Sequence, residues 1–396
     1  MPILPLESAI VHYPWGSRRL LAQWQSRAVP VAQPEAELWM GAHPRAPSSS
    51  GGRLLSEIIA ADPVAVLGGP VAARGDGSLP FLFKLLAVER PLSIQAHPDA
   101  RQARDGYARE DAAGIPWDAP HRNYRDRNHK PEIVCALEPF WALSGFRPLA
   151  GISELLAEVD LPEIAPEVRR FTAGPGPAAL KTLFVGLMDL EGDRKGRLLA
   201  QLVAAADRLG DARPEYPWLR EISRLHPGDL GVLNVLLLNL VELAPGEALY
   251  CGAGRLHAYL RGFGVELMAN SDNVLRGGLT SKHVDVRELT DVLTFEPGGA
   301  DVLRPEGSVY RTPCRDFELS VVDLTRGGVY SAGADHGFEI LVAIAGQAEI
   351  RTSAPESRCT FRRGETVAVT ADTPGYEITG DLLAYKASAG AGRTAS

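Results

Sequence analysis

LAPGEALYCGAG, running from Leu243 to Gly254, reads as a strand, a tight Pro-Gly-Glu turn and a return strand. It lines up without gaps against FRRGETVAVTAD, from Phe361 to Asp372, which lies 118 residues further on. In that register Gly246 and Glu247 face Gly364 and Glu365, Ala253 faces Ala371, and His257 falls opposite Gly375. Two similar β units are therefore expected, the second lacking the histidine of the first.

The texture on either side fits this division. From Met1 to about Pro148 the chain is dense in Gly and Pro, with short apolar runs at Phe81 to Val88 and Ile133 to Leu137, a pattern of short strands joined by turns. Between Ile152 and Leu233, Leu198, Leu199, Leu202, Val203 and Leu209 recur at helical spacing among Arg194, Lys195, Arg197, Asp207 and Arg208, so this segment reads as helical. Strand-like texture resumes at Val235 to Leu243 and continues nearly to the end, where ASAGAGRTAS reads as a disordered tail.

A chain of 396 residues exceeds what one hydrophobic core usually serves, so two or three units are expected. The net charge of -8 argues against a nucleic-acid partner, whose binding relies on a basic face, but leaves room for a small anion held by local cations. No membrane partner is expected either. The most apolar run, Val232 to Leu243, is broken by Asn234, Asn239 and Glu242, and MPILPLESAIVHYPWGS lacks a basic segment followed by an apolar one. Cys135, Cys251, Cys314 and Cys359 are scattered, as reduced, mostly buried thiols of a cytoplasmic protein would be.

Three segments could carry chemistry. In LSIQAHPDA, Gln95 and His97 are two apart, so a strand turns both to one face. In RNHKPEIVCAL, Lys130 and Glu132 share a face at a strand entry, and the carboxylate could supply the anionic ligand a divalent cation prefers. GAGRLHAYLRGFGVELMANSDNVLRGGLTSKHVD gathers His257, Glu266, Asn270, Asp272, Asn273, Arg276 and Lys282 among glycines. Polar groups so dense beside strand-like residues must pair or bind a ligand. GAGRLH lacks the glycine spacing of a dinucleotide-binding turn.

The QAHP of Gln95 to Pro98, the NHKPE of Asn128 to Glu132 and the block from His257 to Lys282 resemble type I phosphomannose isomerases, as do YPWGS at Tyr13 and ELWMGAHP at Glu37. The resemblance implies a mainly β chain with a helical insert. A metal-binding cupin-like β-barrel (jelly roll) would be formed by residues 1–148 and 234–300, an inserted helical domain by 149–233, and a second, metal-free cupin-like barrel by 301–396. It also implies one zinc per chain on Gln95, His97, Glu132 and His257, and interconversion of mannose 6-phosphate and fructose 6-phosphate.

Such an enzyme must stabilise an enediol-like intermediate, to which Arg276 suits a fixed electrostatic role. By motif the proton-transferring group is Glu266, Asp272 or Lys130, with Glu266 favoured, and His43 or His129 could assist ring opening. Lys282 and Ser93, with Lys130 in reserve, suit the phosphate, and Trp15 and Trp39 could wall the pocket. The expected partner is the hexose phosphate alone, for a monomer or weak homo-oligomer. A cupin-type isomerase of glucose 6-phosphate and a non-catalytic sugar-phosphate sensor are the alternatives, and the sensor should have lost Arg276 or a metal ligand.

Overall fold

The computed structural model describes residues 2–74, 77–353 and 355–390. Strand alternation decides its architecture. All eight residues of Phe81–Val88 are buried, so this strand is covered on both faces, with Phe81, Phe83, Leu85 and Ala87 in one apolar cluster and Leu86 and Val88 in another. It lies in an 11-stranded sheet whose main path runs Val302–Leu303, Ala248–Cys251, Glu132–Ala136, His257–Ala269, Phe81–Val88, Glu37–Met40 and Ala9–Val11. The 13-residue strand His257–Ala269 is the backbone of this sheet and pairs with Phe81–Val88, Gln95–Ala96, Glu132–Ala136 and Phe140–Phe146. It changes partners at Gly262, whose φ of 146° and close approach to Phe140 leave no room for a side chain.

A second, 8-stranded sheet has the main path Ile3–Leu6, Thr366–Val369, Glu339–Ser353, Tyr376–Ser388, Glu318–Asp323 and Val309–Tyr310. The two sheets share one apolar core, to which the first contributes Phe83, Ile133, Cys135, Val265 and Leu267, and the second Leu319, Ile340, Val342, Tyr385 and Ala387. Each large apolar side chain buried there contributes roughly 1.5–3 kcal/mol, which ties the sheets together. Between the halves of the first sheet stand the helices Leu149–Val159, Ala165–Ala173, Pro177–Met188, Gly192–Leu209 and Glu215–Leu225. Leu198 and Leu202 are buried in a core with Ile94, Leu256 and Leu275, so the helices back the end of the sheet that carries Gln95, His257 and Arg276. Val203, grouped with these leucines by spacing, is instead exposed.

The two Gly-Glu turns are built alike. Gly246 and Gly364 have φ of 85° and 93°, a left-handed conformation that glycine adopts without strain. Glu247 accepts from the Ala244 N–H at 2.9 Å and Glu365 from the Arg362 N–H at 3.1 Å. Each turn also grips a neighbouring strand in the same way. Ala136 exchanges main-chain bonds with Gly246 and Glu247, and Ala343 does so with Gly364 and Glu365.

Several sequence expectations need correction. The segment before Pro148 is not only strands and turns, since it includes the helices Leu55–Ala61, Pro63–Leu67, Gly69–Arg74 and Ala100–Ala112. The last of these starts where Asp99 and Gln102 cap each other's N–H groups at 2.7 and 2.9 Å. Ile3–Leu6, placed with the first β unit, pairs with Thr366–Val369 of the second sheet. The run from Val235 begins as the short helix Asn234–Leu237 before the strand Leu238–Leu243. Ala387 and Ser388, read as part of a tail, are buried at the end of a strand because Leu319 and Ile340 pair with Ala387 on its two sides. Ala389 and Gly390 follow that strand, and the tail's residues 391–396 lie outside the described part.

Candidate active site

Alternation along the strand Glu132–Ala136 sends Val134 and Ala136 into the interior of the first sheet and Ile133 and Cys135 into the shared core. Glu132 faces inward, fully buried, and meets the equally buried His97 and His257. Nε2 of His257 lies 2.8 Å from one carboxylate oxygen, and Nε2 of His97 lies 3.3 Å from the other. Both imidazoles donate through Nδ1 to a main-chain carbonyl, His97 to Asn273 at 2.8 Å and His257 to Arg255 at 2.9 Å, which leaves a lone pair on each Nε2.

Nζ of Lys130 lies 3.4 Å from Nε2 of His97 and 3.0 Å from Glu132, so one cation already borders the cluster. The ligating atoms of the three residues fall within 4.8 Å of one another, and Nε2 of His257 is buried without a hydrogen-bond partner. Imidazole, imidazole and carboxylate form a donor set that suits zinc. Burial, followed by the charge of Lys130, pushes His97 down to about 4, so its ring is neutral and free to ligate. Burial would raise the Glu132 carboxyl, but the charge of Lys130 holds it well below the usual carboxylate range. Lys130 and the Tyr259 hydroxyl each hold Glu132 at 3.0 Å. Gln95 stands across the ladder from His257 on one side and from Arg276 on the other, so the register turns all three to one face.

Glu266 lies on the same interior face, opposite Lys84 and beside Val134. Burial raises its carboxyl above the ordinary value, against the pull of Lys84 at 3.0 Å. Lys84 also lies 3.6 Å from Glu37, which accepts the indole N–H of Trp39. Asp272 sits further out, 3.6 Å from His43 and 3.5 Å from Arg45. Its main-chain N–H bonds Asp126 at 2.7 Å, while the buried side chain of Asn273 ties down the 125–128 segment through both its oxygen and its nitrogen.

Near Arg276 the site is strongly cationic. Burial foremost, then Arg125, lowers the pKa of Arg276; burial, then Arg276, Arg45 and Arg125, lowers that of Lys282. Among the described residues, Asp272 beside Arg45 is the one carboxylate paired with any of these four cations. Such an arrangement is prepared for a small dianion. Ser93 precedes Gln95 by two positions on the segment held by Gly278 and Tyr259. Trp15 stacks on Tyr13 and packs against the interior apolar cluster.

His129 points the other way and bonds Asp316 at 2.8 Å, so the structure separates it from the buried cluster. Sequence reading overlooked Lys84, Tyr259, Arg45 and Arg125. For Lys84 there was a signal, a lone charge inside the otherwise apolar FLFKLLAV; for Tyr259 there was none, because a buried tyrosine in a strand is ordinary core until its hydroxyl meets a carboxylate.

Among the described residues no helix is long and apolar enough to cross a membrane. The family described as phosphomannose isomerase type I, catalytic domain, matches residues 3–149. Mannose-6-phosphate isomerase of Salmonella typhimurium is 41% identical over 386 residues, covering 93% of this chain and 94% of the relative. That of Escherichia coli is 42% identical over 333 residues, covering 81% and 83%, and that of Bos taurus is 33% identical, covering 97% and 98%. Among solved structures, zinc-bound mannose 6-phosphate isomerase superposes with a TM-score of 0.90 at 39% identity, covering 99% of this chain and all of that one. A form with zinc and yttrium gives 0.91 at 38%, again covering 99% of this chain and all of the other. The helix-interrupted β architecture, the buried two-histidine and glutamate cluster and this likeness along nearly the whole length place the chain in one family: it belongs to the type I phosphomannose isomerases.

Proposed function

We propose that His97, Glu132 and His257, completed by Gln95, form the zinc centre of an isomerase that interconverts D-mannose 6-phosphate and D-fructose 6-phosphate. The observation that carries this reading is the buried, unpartnered Nε2 of His257 aimed at a carboxylate that two further groups already hold in place. When bound, zinc supplies a Lewis acid that polarises the sugar oxygen beside the migrating proton.

The chain's own residues do the rest. Arg276, on the same face as Gln95, sets a permanent positive charge against the oxygen that becomes anionic as the enediol forms. Glu266 takes the proton from one carbon and returns it to the neighbouring one. Its burial favours the protonated form and Lys84 the ionised one, a balance that suits a group working in both directions. Lys130 keeps Glu132 ionised, and Asp272 with His43, 3.6 Å apart, moves the proton of the opening ring. Lys282 and Ser93, together with Arg45 and Arg125, receive the phosphate, and Trp15 borders the pocket. The reading implies a cytoplasmic monomer or weak homo-oligomer acting on a free hexose phosphate.

The test is metal content of the purified protein together with turnover of mannose 6-phosphate before and after chelation. Activity that follows zinc occupancy is expected, and full activity in metal-free protein would defeat the proposal. A parallel assay with glucose 6-phosphate separates this reading from the related isomerase.

A further inference from the structure

The bonds that equate the two Gly-Glu turns also fix which interior positions correspond. Glu132 pairs with Cys251 and Met268; Glu339 pairs with Val369 and Ser388. Glu266 has Lys84 across one ladder and Val134 across the other, and Lys386 likewise has Ser320 and Leu341. Glu132 therefore corresponds to Glu339, Glu266 to Lys386 and Lys84 to Ser320. The outward faces agree: Ile133, Cys135, Val265 and Leu267 share a core with their counterparts Ile340, Val342, Tyr385 and Ala387.

The two interior rows differ in charge. In the catalytic unit the row reads Lys84, Glu266, Glu132, and adding the neighbouring Glu37 and Lys130 leaves three carboxylates against two ammonium groups. That interior is short of positive charge. In the C-terminal unit the row reads Ser320, Lys386, Glu339 and is neutral by itself. Glu339 is almost fully buried; one oxygen accepts from Lys386 and the other from the Tyr376 hydroxyl at 2.5 Å. Lys386 also reaches the Tyr330 hydroxyl at 2.7 Å.

We infer that Lys386 is the built-in cation of the C-terminal unit, standing in for the metal ion of the catalytic unit, and that without its ammonium group the Glu339 site becomes a site for a divalent cation such as zinc. A second ligand is in place beside Glu339. Nδ1 of His336 lies 3.6 Å from Glu339, in a side chain only 3% exposed, and has no hydrogen-bond partner, because Nε2 is the atom that meets the Thr373 carbonyl. Ser320 Oγ, across the ladder from Lys386, is likewise buried and unpartnered, though one strand removed from Glu339. Burial would lower the pKa of Lys386, yet Glu339 and Tyr330 hold it above the ordinary value, as a permanent countercharge requires.

The experiment compares full-length wild type, Lys386→Gln and the double variant Glu339→Gln/Lys386→Gln, each loaded with one and with two equivalents of zinc. Wild type should hold one ion and melt alike under both conditions. Lys386→Gln should melt roughly 5 °C or more below wild type with one equivalent, since a buried carboxylate is left without its partner. It should take up a second ion and regain that loss with two. The double variant should return to one ion and melt near wild type. Lys386→Gln that stays at one ion with the same melting point under both conditions would overturn the inference, as would a double variant melting as low as the single one. Should Lys386→Gln fail to fold, the double variant decides: recovery of folding upholds charge replacement, and failure rejects it.

Discussion

One carboxylate oxygen of Glu132 lies 2.8 Å from Nε2 of His257, whose Nδ1 meets the Arg255 carbonyl at 2.9 Å. A ligating imidazole must be neutral at Nε2, so on metal binding this nitrogen and the carboxylate oxygen would turn their lone pairs to one cation. The contact supplies two of the donor atoms of the His97, Glu132 and His257 cluster.

Metal removal should therefore abolish isomerisation while leaving the protein folded, since the apolar cores do not depend on the ion. His257→Ala should lose zinc and turnover in the same way. Elemental analysis, circular dichroism and a coupled assay check this, and a His257→Ala protein with normal zinc and normal turnover would show that the ligand is misassigned. Among the described residues there is a single such cluster, so wild type should hold one zinc per chain.

Tyr259→Phe removes the hydroxyl that holds Glu132 at 3.0 Å and leaves the ring in its core. Zinc affinity should fall on the order of tenfold, with turnover close to normal once zinc is saturating. Competition with a chromophoric chelator measures the first quantity. An unchanged affinity with a lowered melting point would mean that the tyrosine is only packing.

Lys84→Met strips Glu266 of its partner in a fully buried setting, a change that should destabilise the protein by about 3–5 kcal/mol. Burial already raises the Glu266 carboxyl, and without Lys84 it rises further. A carboxyl with a raised pKa contributes stability at low pH and loses it as pH climbs through the folded value. The melting-point deficit of Lys84→Met should thus be larger at mildly alkaline than at mildly acidic pH, and the acid limb of its rate profile should move upward. A deficit that does not vary with pH would show that Glu266 is not the group released.

How much of this was legible in the sequence depended on how local the cause was. Gln95, His97, Glu132 and His257 sit in short motifs, and the two turns repeat a Gly-Glu pair whose geometry is set within four residues. The helix Ala100–Ala112 also has a local signal, its Asp99 and Gln102 cap, but in a glycine-rich context that signal is faint. What could not be read was anything set by ladder register between distant strands. Lys84 meets Glu266 across 182 positions, and Ile3–Leu6 finds Thr366–Val369 across most of the chain. Single-strand patterns carry which face a residue takes and say nothing of which strand lies beside it.

Arg276 and Lys282 offer the sharpest division of labour. Both lie in the field of Arg125, but Arg276 shares a face with Gln95, whereas Lys282 lies beyond it on an exposed stretch. If Arg276 faces the oxygen that gains charge, Arg276→Ala should lower kcat on the order of a hundredfold or more with a much smaller change in KM. Lys282→Ala should mostly raise KM, because a phosphate contact is made equally in the ground and transition states. Arg276→Lys keeps the charge and loses the planar fork, so its kcat should fall between wild type and Arg276→Ala. Melting temperatures separate these effects from misfolding. An Arg276→Ala protein that folds normally and loses only affinity, at unchanged kcat, would remove Arg276 from the chemistry and leave it as one more phosphate ligand beside Arg125.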